Sequence, residues 1–102
     1  MGAYTYPGLD EKKYLSVDHI ITTVCNLYKI DKELLYSRVR ENKVPEARRV
    51  CIFLVRKYLK LTYEKTGSIF GLDHCTAIHH VRKFEDHYEF DKEFKTKVEP
   101  IL

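Results

Sequence analysis

Residues 62–83 read TYEKTGSIFGLDHCTAIHHVRK. Thr62 suits an N-cap, because a hydroxyl can accept from the free N–H groups at a helix start. The helix it opens runs to about Phe70. Gly71 is a natural stop, since helices often end on a residue at positive φ. Asp73 caps the next helix, where Ala77, Val81, Phe84 and Tyr88 recur at i, i+4, i+7 and i+11, with Ile78 flanking. A short helix, a tight turn at Gly71–Leu72 and a capped second helix make a helix-turn-helix. In that motif the second helix enters the major groove with its N-terminal residues on the base edges. Asp73, His74, Cys75 and Thr76 open that helix, and none belongs to its apolar stripe, so all four are expected to face outwards.

Upstream, Ser16 suits an N-cap, and Val17, Ile20, Ile21, Val24, Leu27 and Tyr28 follow helical spacing. Asp31 can cap a short second helix carrying Leu34 and Leu35. From Ser37 to Val44 no apolar period survives, and Arg38, Arg40 and Lys43 cluster there, so the segment reads as a basic loop. Pro45 fits the first turn of a third helix, where its missing N–H costs nothing. Val50, Phe53, Leu54, Tyr58 and Leu61 would form its inner face, with Arg48, Arg49, Arg56 and Lys60 mostly on other faces. Asp91 starts a last short helix with Phe94 and Val98, ending before Pro100. The chain reads as all-α: an irregular N-terminal arm over 1–15, a helix-turn-helix domain over 16–90, and a short C-terminal helix and tail over 91–102.

A length of 102 residues suits one domain. Hydrophobic residues make up 44% and charged residues 32%, a globular rather than a disordered or membrane balance. The net charge of +3 is unevenly spread. Residues 34–83 carry eleven basic and four acidic side chains, whereas both flanks are net acidic. A basic middle suits a polyanion. Solvated helix faces explain the same charge about equally well. Cys25, Cys51 and Cys75 are far apart and lack metal-type spacing, and neither an export signal nor a bilayer-spanning stretch is visible. Reduced thiols and a cytoplasmic, nucleoid-associated location are the expectation.

From Gly71 to Lys83 the sequence resembles the C-terminal DNA-binding domain of the bacterial chromosomal replication initiator family, DnaA. That family's signature reads roughly G-x-R-D-H-[ST]-T-V-x-H-A, followed by a basic pair. Ala47-Arg48-Arg49-Val50-Cys51-Ile52-Phe53-Leu54 resembles its A-R-Q-I-A-M-Y-L helix, and Arg38 to Val44 its basic loop. The likeness runs from about Val17 to Phe84. It implies a small helical domain of the Trp-repressor-like, DnaA C-terminal type that binds double-stranded DNA as a monomer, without cofactor or catalysis. It places Asp73, His74 and Cys75 on bases in the major groove and Arg40 in the adjacent minor groove. Thr76 and Arg48 fall near the phosphate backbone. Lys43, Arg49, Arg82, Lys83 and the cap Thr62 suit phosphates on charge and position.

Several positions depart from the family pattern. Cys75 stands where threonine or serine is usual, Leu72 replaces an arginine, the turn is one residue shorter, and Thr66 replaces an apolar residue. Glu41 and Asn42 dilute the basic loop. No G-x-x-x-x-G-K-[ST] phosphate loop is present, so the initiator's ATPase module is not expected here and the chain reads as a free-standing reader or a fragment. A simpler reading stands beside each assignment. Asp73 can serve only as a cap, and Arg40 can be merely solvated. Cys25 and Cys51 suit the core, and Tyr4, Tyr6, Tyr14 and Tyr36 suit covering it. His19 and His87 fit a surface. His79 fits the space beneath the turn or beside a phosphate. Cys75 and His79 are i, i+4 neighbours but lack further metal ligands. The competing function is a protein-interaction module for a replication or regulatory protein, motivated by Leu72 and the acidic segment from Glu85 to Glu99.

Overall fold

Most of the helices begin where a short polar side chain can hold the first free N–H groups. In the computed structural model, which describes residues 14–36 and 43–102, α1 spans Val17–Tyr28. Its cap is Ser16, whose hydroxyl accepts from the His19 N–H at 3.2 Å. Helix α2 covers Lys32–Tyr36, and α3 covers Lys43–Leu54. A π-helical turn, Val55–Leu59, continues α3 and stops at Lys60, which has φ 55°. Thr62 then caps α4, Tyr63–Ile69, by accepting from the Lys65 N–H at 3.1 Å. Asp73 caps α5, His74–Phe90, by accepting from the Thr76 N–H at 2.8 Å. Asp91 caps α6, Lys92–Val98, which runs into a 3-10 turn at Glu99–Ile101. No strand occurs among the described residues. The all-α reading and its caps at Ser16, Thr62, Asp73 and Asp91 therefore hold.

Two boundaries differ from expectation. Lys43 and Val44 belong to the basic loop on apolar period alone but form the first turn of α3. Pro45 still lies in that turn, where it has no N–H to lose, so nothing prevents the helix from starting two residues earlier. Val44 is buried, and the contact favours the longer helix. The rest of the loop, including Arg38, Arg40 and Glu41, lies outside the described residues, as do arm residues 1–13. The second difference is the π turn. It starts beside Leu54, and Leu54 and Val55 are both fully buried, so the inner face continues from α3 into the wider turn.

The core gathers around Phe84 of α5. Its ring stacks on Phe53 with centroids 4.0 Å apart and meets Phe94 of α6 edge-on at 5.4 Å. Ile20, Ile21 and Val24 of α1 and Val50 and Leu54 of α3 close the other side. Helix α6 belongs to this same core through Phe94 and Val98. Tyr14 is buried and donates its hydroxyl to the Ile101 carbonyl, while the Tyr58 hydroxyl donates to the Leu102 carbonyl at 2.8 Å. Cys25 and Cys51 are buried as expected, and burial pushes both thiols above their ordinary range. Tyr36 is half exposed but stacks on Phe70.

Candidate nucleic-acid interface

The turn between α4 and α5 is built from main chain fitted to main chain. A Cβ added at Gly67 would stand 2.7 Å from the Leu72 carbonyl oxygen and 2.9 Å from that of Asp73. Backbone oxygens cannot swing aside, so only glycine allows this approach. The Gly67 carbonyl accepts from the Leu72 N–H at 2.8 Å and from the Phe70 N–H at 2.9 Å, which closes the turn. Gly71 sits at φ 72° as its position required, with open space where a side chain would go. Sequence reasoning found Gly71 and missed Gly67. Its signal was a glycine inside a seven-residue helix, a placement that costs about 1 kcal/mol against alanine and so asks for a packing reason.

This turn presents the first turn of α5 to solvent. Asp73, His74 and Cys75 are all exposed, while Ala77 beneath them is fully buried. Hydrogen bonds from the Thr76 N–H and hydroxyl hold the Asp73 carboxyl below the usual carboxylate range, so Asp73 is an ionised cap. The Thr76 N–H is thus given to Asp73. His74 Nε2 lies 3.6 Å from Cys75 Sγ, and neither side chain is held by the core. Helical spacing aligns Cys75, His79 and Arg82 on one exposed stripe and Thr76, His80 and Lys83 on the next. His79 therefore faces solvent rather than the space under the turn.

The remaining sequence candidates are spread over three elements. Thr62 is exposed at the start of α4, with its hydroxyl engaged by the Lys65 N–H. Lys43 is exposed at the start of α3, and Arg82 and Lys83 are exposed on α5. Arg48 is fastened inward: its Nε donates to the Leu35 carbonyl at 3.0 Å and its Nη2 to the Leu34 carbonyl at 3.4 Å. It ties the end of α2 to α3, and burial draws its pKa down from the ordinary arginine value. Arg49, one residue on, is half-buried, and its Nε has no hydrogen-bond partner among the described residues. Arg40 lies outside the described residues. His87 is not the plain surface residue expected. Its ring stacks on Phe94 at 3.8 Å, and its Nε2 lies 3.1 Å from Asp91 Oδ2. Among the described residues no group of three or more His, Cys, Asp or Glu side chains could hold a metal ion.

Sequence comparison places these elements in a family. The model of the bacterial DnaA protein helix-turn-helix matches residues 17–84. Chromosomal replication initiator protein DnaA of Bacteroides thetaiotaomicron is 27% identical over 93 residues, covering 90% of this chain and 20% of that protein. The Flavobacterium psychrophilum protein of the same name is 32% identical over 91 residues, covering 88% of this chain and 19% of its own length. That of Campylobacter jejuni is 28% identical over 93 residues, with 90% and 21% covered. The chain spans about a fifth of the length of these relatives. With α1, α3, α4, the glycine-locked turn and α5 as far as Phe84 inside the matched span, the chain belongs to the bacterial DnaA helix-turn-helix family.

Proposed function

We propose that this chain reads double-stranded DNA sequence-specifically, taking a short, asymmetric, A·T-containing box as a monomer. The observation that carries the reading is the first turn of α5. Three adjacent side chains there, Asp73, His74 and Cys75, are exposed, lie outside the core and are aimed by a turn that cannot shift. In a major groove an aspartate accepts from a cytosine amino group, a histidine donates to a purine, and a thiol offers apolar contact to a thymine methyl. Thr62, Thr76, Lys43, Arg49, Arg82 and Lys83 would meet phosphates and set the register. Arg40 would enter the neighbouring minor groove, where narrow A·T tracts attract guanidinium. Arg48 would support Arg49 from behind, holding α3 against α2. The relatives are named as chromosomal replication initiators, so the box belongs most naturally to a replication origin. The role is binding, in the cytoplasm at the nucleoid, with no catalysis.

The test is selection of bound duplexes from a random pool by the full chain, with affinities then measured at two salt concentrations. The expected result is one enriched A·T-containing box, bound with a steep loss of affinity as salt rises. Weak, equal binding to every duplex would remove the base-reading role. One observation favours a protein partner as the second reading. Phe90 is 78% exposed at the end of α5, flanked by the exposed acids Glu85, Asp86 and Glu89. A basic, apolar partner segment would suit that end, and association with such a peptide that is lost in Phe90→Ala while duplex binding is kept would support it.

A further inference from the structure

His80 stands at an unusual place. It lies on the stripe of α5 between Thr76 and Lys83, at i+4 and i+7 from the first, and it turns towards the arginines of α3. The family signature has alanine at this position, so the imidazole departs from it. It is half-buried, and its Nδ1 is buried without a hydrogen-bond partner among the described residues. Arg49 Nε on α3 is in the same condition. Buried polar atoms are normally paired, and an unpaired one weakens the fold. Here two such atoms belong to neighbouring side chains at one seam between α3 and α5.

The charges around the seam are of one sign. Those acting on His80 come from Arg49 and Arg48 on α3 and from His79 on α5 itself, and no group of α4 or α6 is among them. Burial first and these cations second push His80 down to about 4, so it is neutral at ordinary pH. Both side chains are only half-buried, so nitrogens other than the enclosed Nδ1 and Nε remain towards solvent, and a cationic seam with no acid among the groups acting on it is chemically a seat for an anion. The stripe it interrupts is the one assigned to the DNA backbone.

We propose that Arg49 and His80 together seat one backbone phosphate of the bound duplex, and that His80 takes up a proton from solvent as the phosphate docks. This rests on the duplex-binding reading above. The guanidinium supplies charge and donors. The phosphate reverses the electrostatic balance that kept the imidazole neutral, and the imidazolium then donates to it. Binding and protonation are linked, so the duplex is held more tightly as pH falls from 7 towards 5.5.

The test uses the full chain with labelled histidines. The His80 ring is titrated by NMR alone, with a saturating duplex, and with inorganic phosphate at equal phosphate concentration. The expected result is a ring that stays neutral to about pH 4 alone and titrates at clearly higher pH in the duplex complex, with little change in free phosphate. Affinity for both selected and random duplex should rise at least about threefold between pH 7 and 5.5. That gain should vanish in His80→Gln and in Arg49→Gln and survive in His79→Gln. His80→Asn serves as a second variant should His80→Gln fail to fold, as judged by thermal melting. An unshifted ring in a complex that does form would overturn this inference and leave duplex binding intact. So would a shift produced by free phosphate and not by duplex. Failure of every form to bind any duplex would overturn the functional reading and this inference with it.

Discussion

The two ends of α5 are made in opposite ways. At its N-terminal end the backbone of α4 is pressed against the carbonyls of Leu72 and Asp73, and Gly67 alone permits it. Position is fixed by main chain, which leaves the side chains of His74 and Cys75 uncommitted. At its C-terminal end position is fixed by side chains. His87 lies flat on Phe94, its Nε2 meets Asp91, and Phe84 meets Phe94 edge-on. Asp91 is itself committed, capping α6. A surface meant to recognise something must be rigid while consuming few of the groups that do the recognising, and the N-terminal end achieves this with glycine, committing Asp73 alone as the cap. The C-terminal end consumes its groups in joining α6 to the core.

The comparison breaks most severely at Gly67. Gly67→Ala should destabilise the chain by about 2–3 kcal/mol, because the added methyl meets immovable backbone oxygens. A melting temperature equal to that of the parent would mean that the two helices are not so tightly joined. At the other end, His87→Ala should cost about 1 kcal/mol of stability through the lost stacking, and leave the ratio of affinities for selected and random duplex untouched. A changed ratio would show that the C-terminal end contributes to reading. Thr66→Val sharpens the comparison from within α4. The Thr66 hydroxyl is buried and without a partner among the described residues, so removing it should stabilise the chain by about 1 kcal/mol in denaturant unfolding. A loss of stability would show that the hydroxyl is bonded.

A further expected effect is on pH dependence. Folded His80 stays neutral down to about pH 4, whereas an ordinary histidine protonates near 6.5. Between those values the unfolded chain binds more protons than the folded one, so stability rises with pH across that window and declines on acidification through it. His80→Gln should flatten the dependence in thermal melts. An unchanged slope would locate it in other groups.

The helix-turn-helix was legible in the sequence because its signals are local. Thr62, Gly71 and Asp73 each act within four residues, and the stripe Ala77, Val81 and Phe84 follows the helical period. What escaped depends on contacts made in space. Gly67 matters because the chain returns to it five residues later. Arg48 matters because carbonyls thirteen and fourteen residues back accept from it, which makes it a brace between α2 and α3. The π turn leaves no mark in the apolar period, which runs on through it with Leu54 and Val55 buried. His80 flanks the apolar stripe, and only the packing of α3 against α5 shows that its inner nitrogen is enclosed. His87 looked like a surface residue because its partners, Asp91 and Phe94, lie beyond the end of α5.

The central claim is that the exposed first turn of α5 reads bases. The most direct measurement is the affinity of His74→Ala for the selected box and for random duplex, side by side with the parent chain. The expected result is a loss of about 1–3 kcal/mol on the box and little change on random duplex. Equal losses on both, or none on either, would contradict it.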